Sequence, residues 1–428
     1  MKSKKRIAFY TLGCKLNFSE TSSISNFLSE QLYEKVDFKD LADIYVINSC
    51  TVTETAEKKC LTAIKQVKKR NPDAKIAVIG CFSQLKAEEI KAKENIDIIL
   101  GSSNKFELST ILNSLENYNE PLSEVANEHT FTPNYSSNDR TRSFFKIQDG
   151  CDYFCTYCAI PYARGRSRSN SISKTIDVAN EIASKGIKEV ILTGVNIGDF
   201  GKQNGENFLS LIKALENVNG IERYRISSIE PELLSNEIIK FVANSEKFMP
   251  HFHIPIQAGS DRILKLMKRK YNTELFEDRI NTIIENIPNC FIACDIITGF
   301  PDETEEDFNV SFDFVKKLPL AYLHVFPYSI RTGTLAAKMP NQIDIIEKRK
   351  RALALNQLSE SKKLDFYLQN KGKEYNVLFE SDLDNGFISG FTENYIKVRT
   401  NNTQLVNKIQ KVNLTELTKN VIYDCSII

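Results

Sequence analysis

Three cysteines stand close together in the stretch "DGCDYFCTYCAIPYARGRSRS", residues 149–169. They are Cys151, Cys155 and Cys158, so their spacing is C-x3-C-x2-C. Thiolates this close in sequence can reach one metal centre, as they do in iron–sulfur and zinc loops. A structural zinc site needs four protein ligands, and no fourth cysteine or histidine follows for many residues. Three thiolates leave one coordination position open to a substrate, which predicts a catalytic site.

The segments around these cysteines alternate between strand-like and helix-like patterns. Such alternation predicts parallel sheets with right-handed crossovers. The candidate strands before the motif are residues 6–12, 43–48, 75–80 and 96–100, and those from residue 143 onward are 143–149, 188–194, 223–229, 251–257, 290–299 and 321–328. Six later strands are fewer than the eight that close a TIM barrel, so the second series predicts a partial (β/α)6 barrel.

Three further cysteines follow predicted strands of the first series. Cys14, Cys50 and Cys81 each stand one or two residues after a strand. Because the carboxyl ends of parallel strands lie along one edge of the sheet, we expect these three to converge. Active sites of β/α barrels also lie at the carboxyl ends of the strands, where the C-x3-C-x2-C motif begins.

The pattern predicts an α/β multidomain protein. An N-terminal parallel-sheet domain spans residues 1–118, a polar linker 119–142, and the partial barrel with a connecting helix 143–370. Residues 371–428 contain short alternating strands with glycine turns, which predict a small antiparallel β-barrel.

Composition limits the classes of function. The chain of 428 residues has 42% hydrophobic and 26% charged residues, with a net charge of +1. This excludes a general electrostatic attraction to nucleic acid or membrane, so any RNA-binding surface must be local. No run of about 18 apolar residues could span a bilayer, and the N-terminus lacks a signal-peptide pattern. We therefore expect a cytoplasmic protein, in which reduced cysteines serve as metal ligands, redox groups or small buried residues.

The cysteine motif, the aromatic Tyr157 before its third cysteine and the predicted barrel resemble the radical S-adenosylmethionine (SAM) superfamily. The resemblance implies that Cys151, Cys155 and Cys158 hold a 4Fe-4S cluster. It also implies that the free iron binds the amino and carboxylate groups of SAM, and that one electron cleaves SAM to a 5'-deoxyadenosyl radical.

Other motifs narrow the resemblance. "TLGCKLN" (11–17), "NSCTVTETA" (48–56) and "VIGCFSQ" (78–84) resemble the N-terminal domain of methylthiotransferases, radical SAM enzymes that insert sulfur and a methyl group at an unreactive carbon. The resemblance implies a second 4Fe-4S cluster on Cys14, Cys50 and Cys81, which carries the sulfur. It also implies that residues 371–428 form an RNA-binding TRAM domain.

Residues at strand ends are the candidates for contact with SAM. The resemblance implies a SAM-binding position for "LTGVN" (192–196), and three more residues stand after later strands. The full candidate set is Tyr157, Thr193, Gly194, Asn196, Glu230, Gln257 and Gly299. The alternative for each is ordinary strand-end packing. His251 and His253 share one strand face, and we interpret them as a buried structural pair.

Arg164, Arg166 and Arg168 follow the cysteines at alternate positions. Guanidinium groups suit bidentate contacts with phosphate, so the triplet predicts a grip on an RNA backbone beside the catalytic mouth. Salt bridges within the protein, or contact with SAM, are the alternative interpretation.

"FYTLGCKLNFSET", "TVTETA" and "IPYARGR" resemble the branch that acts on N6-threonylcarbamoyladenosine at tRNA position 37. This implies attack at C2 of a purine splayed from the anticodon loop. It also implies a monomer served by an electron donor such as flavodoxin or ferredoxin and by a sulfur donor that the sequence does not identify. Two alternatives are a methylthiotransferase for isopentenyladenosine or a ribosomal aspartate, and a non-enzymatic iron–sulfur RNA-binding or sensor protein.

Overall fold

The computed structural model describes residues 4–51, 53–114, 122–125, 130–137 and 141–428. Its N-terminal part is a six-stranded parallel sheet. The strands are β1 (Lys5–Thr11), β2 (Tyr33–Val36), β3 (Ile44–Ser49), β4 (Lys75–Gly80), β5 (Ile98–Leu100) and β6 (Leu122–Glu124), in the order β2-β1-β3-β4-β5-β6. The helices are α1 (Lys15–Asn26), α2 (Glu54–Arg70), α3 (Cys81–Lys93) and α4 (Leu108–Ser114).

The sheet is covered on both faces because side chains along a buried parallel strand alternate between two apolar layers. Ile44 and Val46 belong to the layer that contains Leu108 of α4. Tyr45 and Ile47 belong to the layer that contains Ile64 of α2. The predicted parallel sheet is thus confirmed, with two additional strands that the sequence did not predict. The half-exposed β2 has little apolar pattern, and β6 falls in the predicted linker, which lies partly outside the described residues.

Six parallel strands form the second part of the chain. They are β8 (Arg142–Lys146), β11 (Glu189–Thr193), β12 (Arg223–Ile226), β13 (His251–His253), β14 (Phe291–Thr298) and β15 (Tyr322–Pro327). The bridge between Ser228 and His253 joins the two halves of this series. Three short strands accompany it: β7 (Asn134–Tyr135), β9 (Gln148–Asp149) and β10 (Arg168–Ser169). Because β7 runs antiparallel along the free side of β8, the barrel is partial, as predicted.

Helices pack around these strands and are fixed by side-chain caps. Ser171, Asn207, Ser235, Asn272 and Thr304 each accept a hydrogen bond from the first turn of the helix that follows. The helices are α5 (Ile160–Arg164), α6 (Ile172–Ser184), α7 (Phe208–Glu216), α8 (Asn236–Asn244), α9 (Asp261–Leu266), α10 (Thr273–Asn286), α11 (Glu305–Lys317) and α12 (Ile345–Leu368). No helix in the described ranges is long and apolar enough to cross a membrane.

The interior of the partial barrel is polar. Alternate residues of β14 show the pattern, since Ile292 and Cys294 pack outward against the helices while Asp295 contacts His253 of β13. At the amino-terminal ends of the strands, Glu189 accepts a 2.8 Å hydrogen bond from Arg225. Buried polar groups of this kind need hydrogen-bonding partners, so this interior is suited to a ligand-binding cavity rather than to an apolar core.

The C-terminal part is a closed five-stranded barrel. Its strands are β16 (Glu374–Asp384), β17 (Phe387–Phe391), β18 (Lys397–Thr400), β19 (Ile409–Leu417) and β20 (Tyr423–Ile427). The pairing is antiparallel except between β18 and β20, whose parallel contact closes the barrel. Arg225 docks this barrel on the larger one, because its guanidinium donates to the carbonyl oxygens of Thr392 and Glu393 at 2.8 Å each.

Candidate active site

The loop with the C-x3-C-x2-C motif follows β8 and β9 and is held by backbone contacts. Gly150 has φ +71°, and a Cβ there would collide with the carbonyl oxygen of Arg166. The Cys151 N–H donates to the carbonyl of Gly165 at 3.0 Å. The Thr156 N–H donates to the carbonyl of Met267 at 3.1 Å, at the end of α9. The three cysteines therefore stand on a backbone fixed by the barrel rather than on a loose loop.

These thiols form a set without a fourth protein ligand in the loop. Burial raises the pKa of Cys151 and of Cys158 to about 12 each. Burial also raises the pKa of Cys155, although Arg269 counteracts it by donating from Nη1 to the sulfur at 3.0 Å. Metal binding would replace the protons of these thiols, since thiolates and not thiols are ligands. The donor set fits an iron–sulfur cluster with one open iron.

Arg269 contacts two residues that were predicted to bind SAM, Glu230 and Tyr157. Its guanidinium pairs with the carboxylate of Glu230, which follows β12, and donates to the Tyr157 hydroxyl at 3.4 Å. Burial raises the pKa of Glu230 to about 7 despite this pair. Arg269 was not predictable from the sequence, because it is one of several basic residues in "KLMKRKY" and nothing in its spacing distinguishes it.

A cavity of about 210 Å³ lies at the carboxyl ends of β13–β15. Tyr157, Gln257, Asp295 and Tyr328 contribute to its wall. Gln257 has φ +65°, and its N–H donates to the carbonyl of Asp295 at 2.9 Å. The structure thus brings two predicted SAM residues, Tyr157 and Gln257, to one cavity beside the cysteine loop.

The "LTGVN" segment offers unpaired polar atoms. Within the described residues, the buried Oγ1 of Thr193 and Oδ1 of Asn196 have no hydrogen-bond partner. The turn itself is fixed because Gln148 Oε1 accepts from the Asn196 N–H at 2.8 Å and a Cβ on Gly194 would lie 2.9 Å from the same oxygen. Orphaned buried polar atoms need a partner, which a ligand such as SAM would supply.

Gly299 occupies a different environment. Its N–H donates to Glu303 Oε2 at 2.6 Å, and a Cβ there would collide with the side chain of Lys348 on α12. The N–H of Gly299 is therefore already used inside the protein and is not available to a ligand.

Cys14, Cys50 and Cys81 lie at the carboxyl ends of three neighbouring strands, β1, β3 and β4. The registers place Thr11 beside Asn48 and Ser49 beside Gly80, so the strand ends are level. Gly13 has φ +100°, and a Cβ there would lie 2.7 Å from the sulfur of Cys50. Only glycine permits this approach of the Cys14 turn to Cys50. The arrangement fits a second set of three thiolate ligands.

The burial of Arg164 contradicts the predicted contact of this residue with RNA. Only 1% of the residue is exposed, and its guanidinium lies between the two parts of the chain. It donates to the sulfur of Cys81 at 3.2 Å and to Asn17 Oδ1 at 2.6 Å. It also pairs with Glu20 at 2.9 Å and Asp149 at 3.0 Å. A phosphate cannot reach this group.

Lys105 and Lys146 complete the network around Glu20. Burial alone would raise the pKa of Glu20, but the charges of Arg164, Lys105 and Lys146 outweigh it and lower this pKa to about 2. Glu20 therefore stays ionised inside the protein. These residues were not predictable from the sequence, because nothing in a helical or strand pattern shows which charged side chains a second domain will bury.

The other two arginines of the triplet differ from each other. The Arg168 side chain is only 10% exposed, pairs with Asp149 at 3.0 Å and donates to the carbonyl of Arg164 at 2.6 Å. Arg168 is therefore also a structural residue, contrary to the predicted phosphate grip. The Arg166 side chain is 71% exposed, and its guanidinium lies 4.7 Å from the ring centroid of Phe154. Within the triplet, only Arg166 is exposed enough to reach a phosphate, although its guanidinium also lies 3.6 Å from Asp152 Oδ1.

His251 and His253 share one face of β13, but they do not form a packed pair. Both line a second cavity, of about 440 Å³, together with His324 of β15. His253 Nε2 lies 2.8 Å from Asp295 Oδ1, and the rings of His253 and His324 stack at 5.1 Å. A structural role for the two histidines stays a prediction, because His251 is buried and His253 is engaged by Asp295, while both also line the cavity.

Two family descriptions match the chain. Residues 6–101 match "Uncharacterized protein family UPF0004", and residues 145–315 match the "Radical SAM superfamily". Among solved structures, the radical SAM methyltransferase TsrM from Kitasatospora setae is similar in fold. Its TM-score is 0.56 at 13% identity, with 78% of this chain and 77% of that chain covered.

Curated relatives match over almost the whole length. Threonylcarbamoyladenosine tRNA methylthiotransferase MtaB of Aquifex aeolicus is 38% identical, with 95% of this chain and 99% of the relative covered. MtaB of Bacillus subtilis is 39% identical, with 95% and 93% covered. The tRNA-2-methylthio-N(6)-dimethylallyladenosine synthase of Alkaliphilus oremlandii is 35% identical, with 96% and 90% covered. With two sets of three cysteines, a partial barrel and these relatives, the chain belongs to the methylthiotransferase family of radical SAM enzymes.

Proposed function

We propose that this chain is a tRNA methylthiotransferase that converts N6-threonylcarbamoyladenosine at position 37 to its 2-methylthio derivative. The observation that carries the proposal is the connection of the two cysteine sets through α5 and Arg164. Helix α5 begins two residues after Cys158 and ends at Arg164, which contacts Cys81. The five residues of α5 rise only about 7 Å, so Cys81 lies one arginine side chain away from the end of the helix that follows the C-x3-C-x2-C motif.

Cys151, Cys155 and Cys158 would hold one 4Fe-4S cluster, and Cys14, Cys50 and Cys81 a second. When bound, the first cluster would supply an electron and an open iron to SAM, and the second would carry the sulfur that is transferred. The protein's own contribution is positional. Arg269 places its positive charge beside the sulfur of Cys155, and Arg164 places its charge beside the sulfur of Cys81. Both charges favour the thiolate form that an iron ligand requires.

The 210 Å³ cavity beside Tyr157 and Gln257 suits the nucleoside of SAM, because it combines an aromatic wall with polar groups. The unpaired atoms of Thr193 and Asn196 can accept hydrogen bonds from the SAM amino group. Gly194 lets the backbone of this segment pack closely on Gln148.

The tRNA would contact the mouth of the partial barrel and the C-terminal barrel with its anticodon loop. Arg166 is the exposed guanidinium beside the cysteine loop, and small barrels of this type commonly bind RNA. We also propose that the protein acts as a monomer in the cytoplasm and takes electrons from a donor such as flavodoxin or ferredoxin.

Mass spectrometry of tRNA nucleosides tests the proposal. Cells that lack this protein should lose 2-methylthio-N6-threonylcarbamoyladenosine and accumulate the unmethylthiolated nucleoside, and expression of the protein should restore the product. An unchanged level would show that the substrate is wrong. Loss of the 2-methylthio derivative of isopentenyladenosine instead would favour methylthiolation of that nucleoside, the activity for which the Alkaliphilus oremlandii relative is named.

A further inference from the structure

The 440 Å³ cavity is enclosed by three parts of the chain. Its wall includes β13, β14 and β15 of the partial barrel, Lys363 of α12, and Tyr395 and Lys397 of the C-terminal barrel. Lys15, at the start of α1, enters it from the N-terminal domain. A cavity shared by all these parts is formed only in the assembled protein.

Its lining is basic. Three lysines, Lys15, Lys363 and Lys397, contribute to the wall with three histidines, and no carboxylate of the described residues does so. Asp295, the nearest acidic group behind the wall, is engaged by His253 at 2.8 Å. Burial lowers the pKa of His324 to about 4, so this ring is neutral at neutral pH. The ligand atoms of His253, Asp295 and His324 lie within 4.8 Å of one another, an arrangement that also suits a metal ion, but the three lysines of the wall oppose a cation and favour an anion.

Lys15 is the lysine that the structure leaves without a counterion. The described part of the chain contains no ion pair or hydrogen bond of its ammonium group, although the side chain is partly buried. The charges of Arg142 and Arg225 repel it, whereas Tyr395 and Asp295 act in the opposite direction. An unpaired, partly desolvated ammonium group is costly, and a bound anion offsets that cost.

Two residues connect the cavity with the candidate active site. Lys15 directly follows Cys14, a member of the second cysteine set. Asp295 lines the 210 Å³ cavity on one side and contacts His253 of the 440 Å³ cavity on the other. A base that reaches between the two cysteine sets can therefore extend a side chain into the basic cavity.

We propose that this cavity binds the free carboxylate of the threonylcarbamoyl group, and that the Lys15 ammonium is the group that recognises it. The inference rests on the proposed function. The threonylcarbamoyl chain ends in a carboxylate and a hydroxyl, whereas an isopentenyl chain is entirely apolar. An apolar chain would leave Lys15 desolvated and unpaired, so the cavity discriminates between the two modified adenosines.

Binding measurements with the reconstituted holoenzyme test the inference. The probes are three fluorescent anticodon stem-loops that differ only at position 37, which carries adenosine, N6-threonylcarbamoyladenosine or the methyl ester of the latter. The wild-type protein should bind the threonylcarbamoyl RNA about 10- to 100-fold more tightly than the adenosine RNA, as expected for a hydrogen bond between charged groups. The methyl ester should lose most of this preference, because its carboxylate charge is gone.

Variants assign the effect to Lys15. Lys15→Met should remove most of the preference and leave the affinity for the adenosine RNA within about twofold of wild type. Lys15→Arg should retain most of it, because the positive charge remains. Lys240→Met, which removes an exposed lysine on α8, is the matched control and should behave like wild type. Reductive cleavage of SAM, measured as 5'-deoxyadenosine, confirms that each variant is folded.

The outcomes separate the inference from the proposed function. If the wild-type protein methylthiolates the threonylcarbamoyl RNA but Lys15→Met keeps the full preference, the assignment of Lys15 is wrong and the function stands. If the methyl ester binds as tightly as the free acid, the cavity does not recognise the carboxylate. If the wild-type protein methylthiolates only an isopentenyl RNA and shows no preference for the threonylcarbamoyl RNA, both proposals are wrong.

Discussion

Nε of Arg164 donates a hydrogen bond to the sulfur of Cys81 at 3.2 Å. Arg164 ends the short helix that follows the C-x3-C-x2-C motif, and Cys81 belongs to the cysteine set of the N-terminal sheet. One guanidinium therefore connects the two candidate cluster sites. The same guanidinium pairs with Glu20 and Asp149. The position of the Cys81 sulfur therefore depends on an ionic network that spans both domains.

Arg164→Met should damage the second site and the interface together. Removal of the guanidinium leaves the buried negative charges of Glu20 and Asp149 without one of their positive partners. In comparable networks this lowers the free energy of unfolding by about 3–5 kcal/mol. We expect a lower midpoint of urea unfolding and less iron per chain than in the wild-type protein. Arg166→Met is the control, because the Arg166 side chain is 71% exposed and should change stability by less than about 0.5 kcal/mol. Equal iron content in both variants would contradict the role of Arg164.

The two cysteine sets should separate in their effects. Cys155→Ala removes a ligand of the motif and should abolish SAM cleavage, measured as 5'-deoxyadenosine after chemical reduction. Cys50→Ala removes a ligand of the sheet-edge set and should spare cleavage but abolish methylthiolation of tRNA. Cys60→Ala is the matched control, because Cys60 is buried inside α2 and belongs to neither set. Full product formation by Cys50→Ala would exclude the second set from sulfur transfer.

Arg166→Ala should weaken tRNA binding through the loss of one phosphate contact. The affinity should fall similarly for modified and unmodified tRNA, and the slope of log K against log salt should become shallower by about 1. Arg168→Ala should instead lower the thermal midpoint, because its guanidinium is used by Asp149 and by backbone carbonyls. An unchanged salt slope for Arg166→Ala would place the RNA elsewhere.

Acidification should destabilise the protein through buried histidines. Burial lowers the pKa of His251 well below its ordinary value of 6.5, and that of His324 to about 4. Below pH 6.5 the unfolded chain therefore binds protons that the folded chain does not. Each such proton lowers the free energy of unfolding by about 1.4 kcal/mol per pH unit. The stability present above pH 6.5 is thus lost as the pH falls toward 5. His251→Phe removes one such group, so its thermal midpoint should fall less than that of the wild type between pH 7 and pH 5.5.

The sequence predicted the elements whose pattern is local. The buried strands of the first sheet and the six barrel strands follow from apolar runs and alternation, and the level ends of β1, β3 and β4 follow from parallel topology. The strand β2 was not predicted because its "YEKV" lies half-exposed at an edge and has no distinct pattern.

Long-range burial of charge was not predictable in the same way. Arg164 and Arg166 have identical side chains two residues apart, yet one is buried and the other exposed. The difference depends on Glu20, which is 144 residues away from Arg164 in sequence. Lys15 is a comparable case, since its place in the basic cavity depends on α12 and the C-terminal barrel.

The ionic network also sets an order of events during synthesis. Glu20 and Lys105 emerge from the ribosome before Lys146, Asp149 and Arg164, so the nascent N-terminal sheet carries a carboxylate whose full set of partners does not yet exist. Until residue 164 has been translated, Cys81 also lacks its guanidinium contact. The complete environment of Cys81 therefore exists only after the barrel loop has been made and has docked on the N-terminal sheet.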